Sequence, residues 1–224
     1  MTRRALGRCL TPEHDDRSRL PQYAARRAVR LVSVLHEHRG PVLDQGNLGA
    51  CTGYAAAQLL NCARHVDARG GTLLDARCAD ALYSRATSRD WYPGAWPGID
   101  TGSSGLAAAK AAKDLDLIPR YGHALGLQHT LAALALDPVS IGIPWHPSMD
   151  EPGPDGLLTV DTDVEAEGGH QLVGIGLDVE RQMVRLLNSW GPSWGDAGTA
   201  LIRWSDLGRL LQLGGDVTVL GAAA

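Results

Sequence analysis

An α+β fold in two lobes is predicted for this chain by three observations. Apolar residues recur at helical spacing through the first half, short strand-like runs fill the second half, and breaker residues separate the two. The pattern divides the single domain, residues 1–224, into an arm over 1–40, a helical lobe over about 41–130 and a β-rich lobe over about 131–224.

In the arm, Pro12 and Pro21 act as breakers. Val29, Leu31, Val34 and Leu35 predict one short ordered piece there. The stretch from Pro41 to Ala50 is turn-rich and leads into a helix beginning at Cys51. Its apolar stripe continues through Ala55, Leu59, Cys62 and Val66. A second helix is predicted over Leu73 to Arg85. A third follows Asp100-Thr101-Gly102-Ser103-Ser104, where Ser103 or Ser104 supplies the N-cap, and runs to about Leu115. A fourth, from about Thr130 to Leu136, ends before Pro138. Strands are then predicted at Val139–Trp145, His170–Leu177, Met183–Leu187, Thr199–Trp204 and Val217–Leu220, with a turn near Asp178 to Arg181.

Bulk properties exclude several function classes. The 224 residues carry 44% hydrophobic and 21% charged side chains, an ordinary globular balance. A net charge of −4 gives no electrostatic case for nucleic acid as a partner. The first 30 residues carry eight Arg against Glu13, Asp15 and Asp16, which reads as a solvated arm or, more sharply, a docking segment. No stretch approaches the ~20 apolar residues of a membrane span, and Met1 to Leu20 has no apolar core of a secretory signal. The cysteines are Cys9, Cys51, Cys62 and Cys78, with no CxxC pair. Reduced thiols in a cytoplasmic setting follow as the expectation. Phe is absent, so large aromatic packing falls on six Trp and five Tyr.

The chemistry concentrates in three blocks. Cys51 opens its helix, where the positive end of the peptide dipoles favours the nucleophilic thiolate. Gly46 and Gly49 let a substrate carbonyl approach the backbone. Gln45, six residues before Cys51, carries an amide that can join the Cys51 backbone N–H in holding an oxyanion. Gly168-Gly169-His170 opens a strand, and the hairpin after it returns to Asn188-Ser189-Trp190-Gly191-Pro192-Ser193-Trp194-Gly195. An Asn oxygen at the level of His170 can accept a ring N–H and fix the imidazole, and Trp190 can shield that bond from water. Cys62 and Cys78 read as packing residues. His36-Glu37-His38 lacks the spacing of a metal motif, His123, His129 and His146 read as surface residues, and no metal or cofactor is expected.

The series Gln-Gly-x-x-Gly-x-Cys, Gly-Gly-His and Asn-Ser-Trp-Gly-x-x-Trp-Gly resembles the papain-like cysteine peptidases. His170 follows Cys51 by 119 residues and Asn188 follows it by 137, in that family's order. The resemblance covers roughly residues 41–204. It implies Cys51 as nucleophile, His170 as acid/base, Asn188 as orienter and Gln45 as oxyanion donor. Gly49, Gly102, Ser103, Gly169, Trp190 and Trp194 become candidate substrate contacts, and the partner becomes a peptide or protein, met by a monomer. Two departures stand out. Leu48 replaces the cysteine three before the nucleophile, removing a disulfide partner, and Thr52 replaces the aromatic residue after it. The chain has no room for a long propeptide and so resembles compact bacterial and phage members. Three other readings remain open: acyl transfer or isopeptide cleavage on the same site, a peptidoglycan amidase of another Cys–His class, and a catalytically silent binding module. The intact Asn188-Ser189-Trp190-Gly191 block argues against the amidase. Retention of Gln45, Cys51, His170 and Asn188 together argues against the silent module.

Overall fold

The structure, a computed structural model, describes residue 6 and residues 30–221. The expectations for Cys9, Val29 and nearly all of the basic arm lie outside the described residues.

Helix α1 (Cys51–Leu60) reads CTGYAAAQLL and is buried on every side, which marks it as the central helix. Gly53 permits this, because a Cβ there would sit 2.5 Å from the Ala79 carbonyl oxygen and 2.7 Å from the Cβ of Tyr83. A substituent would push α1 off α3 (Ala76–Thr87). The predicted stripe from Cys51 to Val66 is two helices, not one: α1 ends at Leu60 and α2 runs Ala63–Ala68. The break lies at Asn61, whose side-chain amide donates to the Leu74 carbonyl and accepts from the Leu74 N–H, both at 2.8 Å. A tertiary clamp thus interrupts a pattern that the local sequence would continue. Asp75 caps α3, accepting from the Cys78 N–H. Ser104 caps α4 (Gly105–Asp114), accepting from the Ala107 N–H at 3.1 Å, as the sequence predicts.

Among the described residues, seven strands form one antiparallel sheet. They are β1 (Val34–Leu35), β2 (Arg120–His123), β3 (Val139–Trp145), β4 (Gly168–Asp178), β5 (Met183–Leu187), β6 (Thr199–Arg203) and β7 (Asp216–Gly221). The main order is β2-β7-β3-β4-β5-β6, with β1 also on β4. The long β4 pairs with β3 from Gly168 to Gly174, and β1 takes over at Gly176 and Leu177. Two further helices, α5 (Gly126–Leu134) and α6 (Trp204–Gln212), contribute Leu131, Leu134, Leu207 and Leu210 to the sheet's core. Three differences from the sequence reading occur here. The strand predicted to reach Trp204 stops at Arg203, where α6 starts; β2 was not anticipated; and His123 and His146 are buried rather than on the surface, the latter holding the Val164 carbonyl through Nδ1 at 2.8 Å.

Two hydrophobic clusters result. One joins α1, α3 and α4 to the near face of β4 through Val173 and Ile175. The other packs Ile141, Ile143, Trp145, Leu172 and Trp190 on the far face with α5 and α6. The fold is mixed α and antiparallel β with its helices and strands largely segregated, and the alternation along β4 sends neighbouring side chains into different cores.

Candidate active site

Cys51 is the first residue of α1, and Ala50 at the cap position makes no side-chain hydrogen bond to the helix. The end of α1 is therefore left without a side-chain oxygen competing for its dipole. Cys51 and His170 are both buried, at 0% exposure.

His170 stands on β4 opposite Ile143 of β3. Its Nε2 lies 2.7 Å from Asn188 Oδ1. The same oxygen accepts the Ser189 backbone N–H at 2.8 Å, which identifies it as the acceptor end of the amide. His170 thus donates from Nε2, and Nδ1 has no hydrogen-bond partner among the described residues. That leaves one ring nitrogen for proton transfer and uses the other for orientation. Two indoles enclose the ring: Trp190 at 4.8 Å between centroids and tilted 36°, and Trp145 edge-on at 4.9 Å. The two indoles exclude water from the ring. Trp145 is a member of this site that the sequence reading placed only at a strand end; its indole N–H donates to Asp150 at 2.7 Å.

Gln45 is buried beside the same hairpin. Its backbone N–H donates to the Ser189 carbonyl at 2.9 Å, and its Oε1 accepts the Ser189 hydroxyl at 2.6 Å. Its Nε2 donates to the Leu48 carbonyl at 2.7 Å, in the loop that leads to Cys51. A continuous set of hydrogen bonds therefore runs from Gln45 through Ser189 to Asn188 and His170. Gln58 closes the structure around it. Two turns beyond Cys51 on α1, it accepts the Leu43 N–H at 3.0 Å and donates to the Asn188 carbonyl at 3.1 Å. Ser189 and Gln58 were missed by the sequence reading. The only signal for Gln58 was an amide in an otherwise apolar helix, in register with Cys51.

Gly49 and Gly102 join a second network. The Gly49 N–H donates to Asp100 Oδ2 at 2.8 Å, the Tyr83 hydroxyl donates to Asp100 Oδ1, and the Gly102 N–H donates to the Tyr83 oxygen at 3.0 Å. Burial, then the Asp100 bond and charge, hold the Tyr83 hydroxyl well above its ordinary pKa, and Cys51 adds to the effect. Ser103 donates to Asp90 at 2.7 Å, and Gly169 pairs with Pro144 in the sheet. Trp190 and Trp194 pack edge to face at 5.7 Å. Both line a cavity of about 1250 Å³ that also borders Asp44, Gly46 and Asn47 but is not lined by Cys51 or His170. Cys62 is buried and its thiol is pushed up to about 12, by burial first and then by Asp137. Among the described residues no group of three or more His, Cys, Asp or Glu is placed to hold a metal ion, and no helix is long and apolar enough to cross a membrane.

No protein-family model matches the chain, and no curated protein matches its sequence. Solved structures do match. Xylellain, a cysteine protease from Xylella fastidiosa, aligns with a TM-score of 0.72 at 18% identity, over 100% of this chain and 99% of that one. Digestive procathepsin L 3 of Tenebrio molitor larval midgut aligns at 0.65 and 16% identity, over 97% and 76%. The Carica candamarcensis cysteine protease CMS1MS2, in complex with E-64, aligns at 0.59 and 16% identity, over 83% and 94%. At these identities the likeness is one of backbone architecture, and it establishes that this chain has the α+β two-lobe fold of the papain-like cysteine proteases.

Proposed function

We propose that the chain is a cysteine peptidase that hydrolyses peptide bonds through a thioester on Cys51. The observation that carries this reading is the 2.7 Å bond from His170 Nε2 to Asn188 Oδ1, with Nδ1 left over for a proton. In the reaction, the Cys51 thiolate adds to the scissile carbonyl. The Cys51 backbone N–H and the Gln45 amide receive the developing oxyanion. His170 gives its Nδ1 proton to the leaving amine, which departs as the carbonyl reforms on sulfur. It then takes a proton from water as that water attacks the thioester, and collapse of the adduct releases the acid and returns the Cys51 thiolate beside a protonated His170. Asn188 keeps the ring in one orientation throughout. Gly49, Gly102, Ser103, Gly169, Trp190 and Trp194 are the proposed substrate contacts, and the substrate is a peptide or protein handled without metal or cofactor.

The test is stoichiometric labelling of Cys51 by a peptidyl thiol reagent, followed by peptide-library cleavage with wild type and Cys51→Ala. Wild type is expected to cleave and Cys51→Ala to be inactive with an unchanged circular dichroism spectrum. Cleavage by purified Cys51→Ala would remove the nucleophile assignment. Labelling without any cleavage would favour acyl transfer to another acceptor or a silent binding module.

A further inference from the structure

The loop before the nucleophile lacks a cysteine, because Leu48 stands three residues ahead of Cys51. It is nevertheless tied down. Asp100 is exposed at the rim, yet both its carboxylate oxygens are engaged: Oδ2 by the Gly49 N–H at 2.8 Å and Oδ1 by the buried Tyr83 hydroxyl. The Tyr83 oxygen in turn receives the Gly102 N–H at 3.0 Å. Four groups thus form one chain, Gly49–Asp100–Tyr83–Gly102, which joins the segment entering α1 to the segment entering α4. A separate observation shows how closely it fits. A Cβ on Gly49 would lie 2.9 Å from Asp100 Oδ1 and 3.3 Å from Oδ2, so the carboxylate occupies the space that any side chain at position 49 would need.

We propose that Asp100 and Tyr83 are positioning residues of the peptidase site: they clamp the nucleophile loop at Gly49 to the substrate-binding edge at Gly102, so that the reacting sulfur and the bound peptide backbone are held in one register. This rests on the reading of Cys51 as the nucleophile and of Gly102 as a substrate contact. Asp100 acts through Gly49 on the backbone that leads into the Cys51 N–H. Tyr83 acts through Gly102 on the peptide's main chain. Neither side chain needs to touch the reacting atoms. A charge-assisted bond from a backbone N–H to a carboxylate is short and directional, and small errors in such placement are expensive in rate. The clamp contains no sulfur, so it holds the cleft independently of redox conditions.

The test compares two irreversible reagents on Cys51, iodoacetamide, which needs no peptide edge, and a peptidyl chloromethyl ketone, which does. Rates are expressed per active site by titration, so that misfolded protein drops out. Asp100→Ala is expected to slow the peptidyl reagent about tenfold while iodoacetamide changes less than about twofold. Asp100→Asn retains a carbonyl oxygen for Gly49 and should recover to within about threefold of wild type. Tyr83→Phe, which frees Gly102 and Asp100 Oδ1 but leaves the bond from the Gly49 N–H to Asp100 Oδ2, should raise KM for a cleaved peptide roughly three- to tenfold with kcat nearly unchanged. Gly49→Ala should reproduce Asp100→Ala, and the double variant should be no worse than Gly49→Ala alone, because both break the same link. An unchanged ratio of the two inactivation rates in Asp100→Ala overturns the clamp, as does additive loss in the double variant. The reagent ratio is read without hydrolysis. A wild type that is labelled but cleaves nothing would therefore count against the peptidase reading alone.

Discussion

Gln58, two turns along the helix that begins at Cys51, donates to the Asn188 carbonyl at 3.1 Å and accepts the Leu43 N–H at 3.0 Å. One buried amide thus joins the helix that begins at Cys51 to the residue holding the histidine and to the segment leading to Gln45. Gln58→Ala would orphan a buried N–H and a buried carbonyl, each at a cost of ~1–3 kcal/mol. A fall in Tm of roughly 5–10 °C is expected for a chain of this size, with kcat reduced at temperatures where the variant is still folded. A calorimetric scan beside kcat measurements checks this. An unaltered Tm would show that water replaces the amide.

Gln45 should act on the chemical step. With its Oε1 fixed by Ser189 and its Nε2 donating to the Leu48 carbonyl, its amide is held beside the loop that leads to Cys51. Gln45→Ala is expected to lower kcat roughly 10²–10³-fold, the cost typical of losing one such donor, with KM changed much less. A shift confined to KM would make Gln45 a binding contact.

Much of this site was legible because its parts are short motifs around residues whose chemistry is distinctive. The cap at Ser104 and the strands at 139–145 and 183–187 were legible from local pattern. What escaped depended on partners remote in sequence. Asn61 stops α1 because it pairs with Leu74. Helix α6 starts at Trp204 directly after a strand, so the apolar run of β6 hid the change of period, and its buried Leu207 and Leu210 are only three apart. His146 looked like a surface residue until Val164 supplied its partner. The clamp around Asp100 was invisible for the same reason: Tyr83 and Gly49 reach it from 17 and 51 residues away.

Thiol chemistry should single out Cys51. Among the described residues Cys51, Cys62 and Cys78 form no disulfide, and the expectation for the whole chain is four free thiols. Titration of denatured, unreduced protein should count four free thiols, whereas two or fewer would indicate a disulfide and an oxidising compartment. In native protein at pH 8, Cys62 should resist alkylation, because burial holds its thiol near 12 and leaves almost no thiolate.

His65 should make stability fall in mild acid. Its side chain is buried, and its pKa is lowered to about 4, by burial first and then by Arg69, Arg64 and His36. In the unfolded chain it returns to about 6.5, so between these values the unfolded state binds the additional proton. Stability from this group is complete above about pH 6.5 and is lost as pH falls toward 4, at about 1.4 kcal/mol per unit. Denaturant titrations at pH 7.5, 6 and 5 check the slope, with His65→Gln as the comparison. If the slope in that range survives the substitution, other groups cause it.

Asn188 offers the sharpest separation of catalysis from architecture. Two of its interactions differ in kind. Its backbone carbonyl accepts from Gln58, while its side-chain oxygen accepts from His170 and from the Ser189 N–H. Asn188→Ala removes only the second set, so the tie to α1 survives. The imidazole then loses the acceptor that keeps Nε2 as the donor, and Nδ1 no longer points in one direction. Trp145 and Trp190 still confine the ring, which limits the loss. A decrease in kcat of roughly one to two orders of magnitude is therefore expected, by the rate cost of a misplaced reacting group, with KM within about threefold of wild type because Asn188 binds no substrate. Asn188→Asp retains an oxygen for His170 and should therefore keep more of the wild-type kcat than Asn188→Ala. Steady-state kinetics per titrated site, together with melting curves for the three proteins, decide the matter. Unchanged kcat in Asn188→Ala would reduce the residue to a brace of the hairpin and remove the orienting bond from the mechanism.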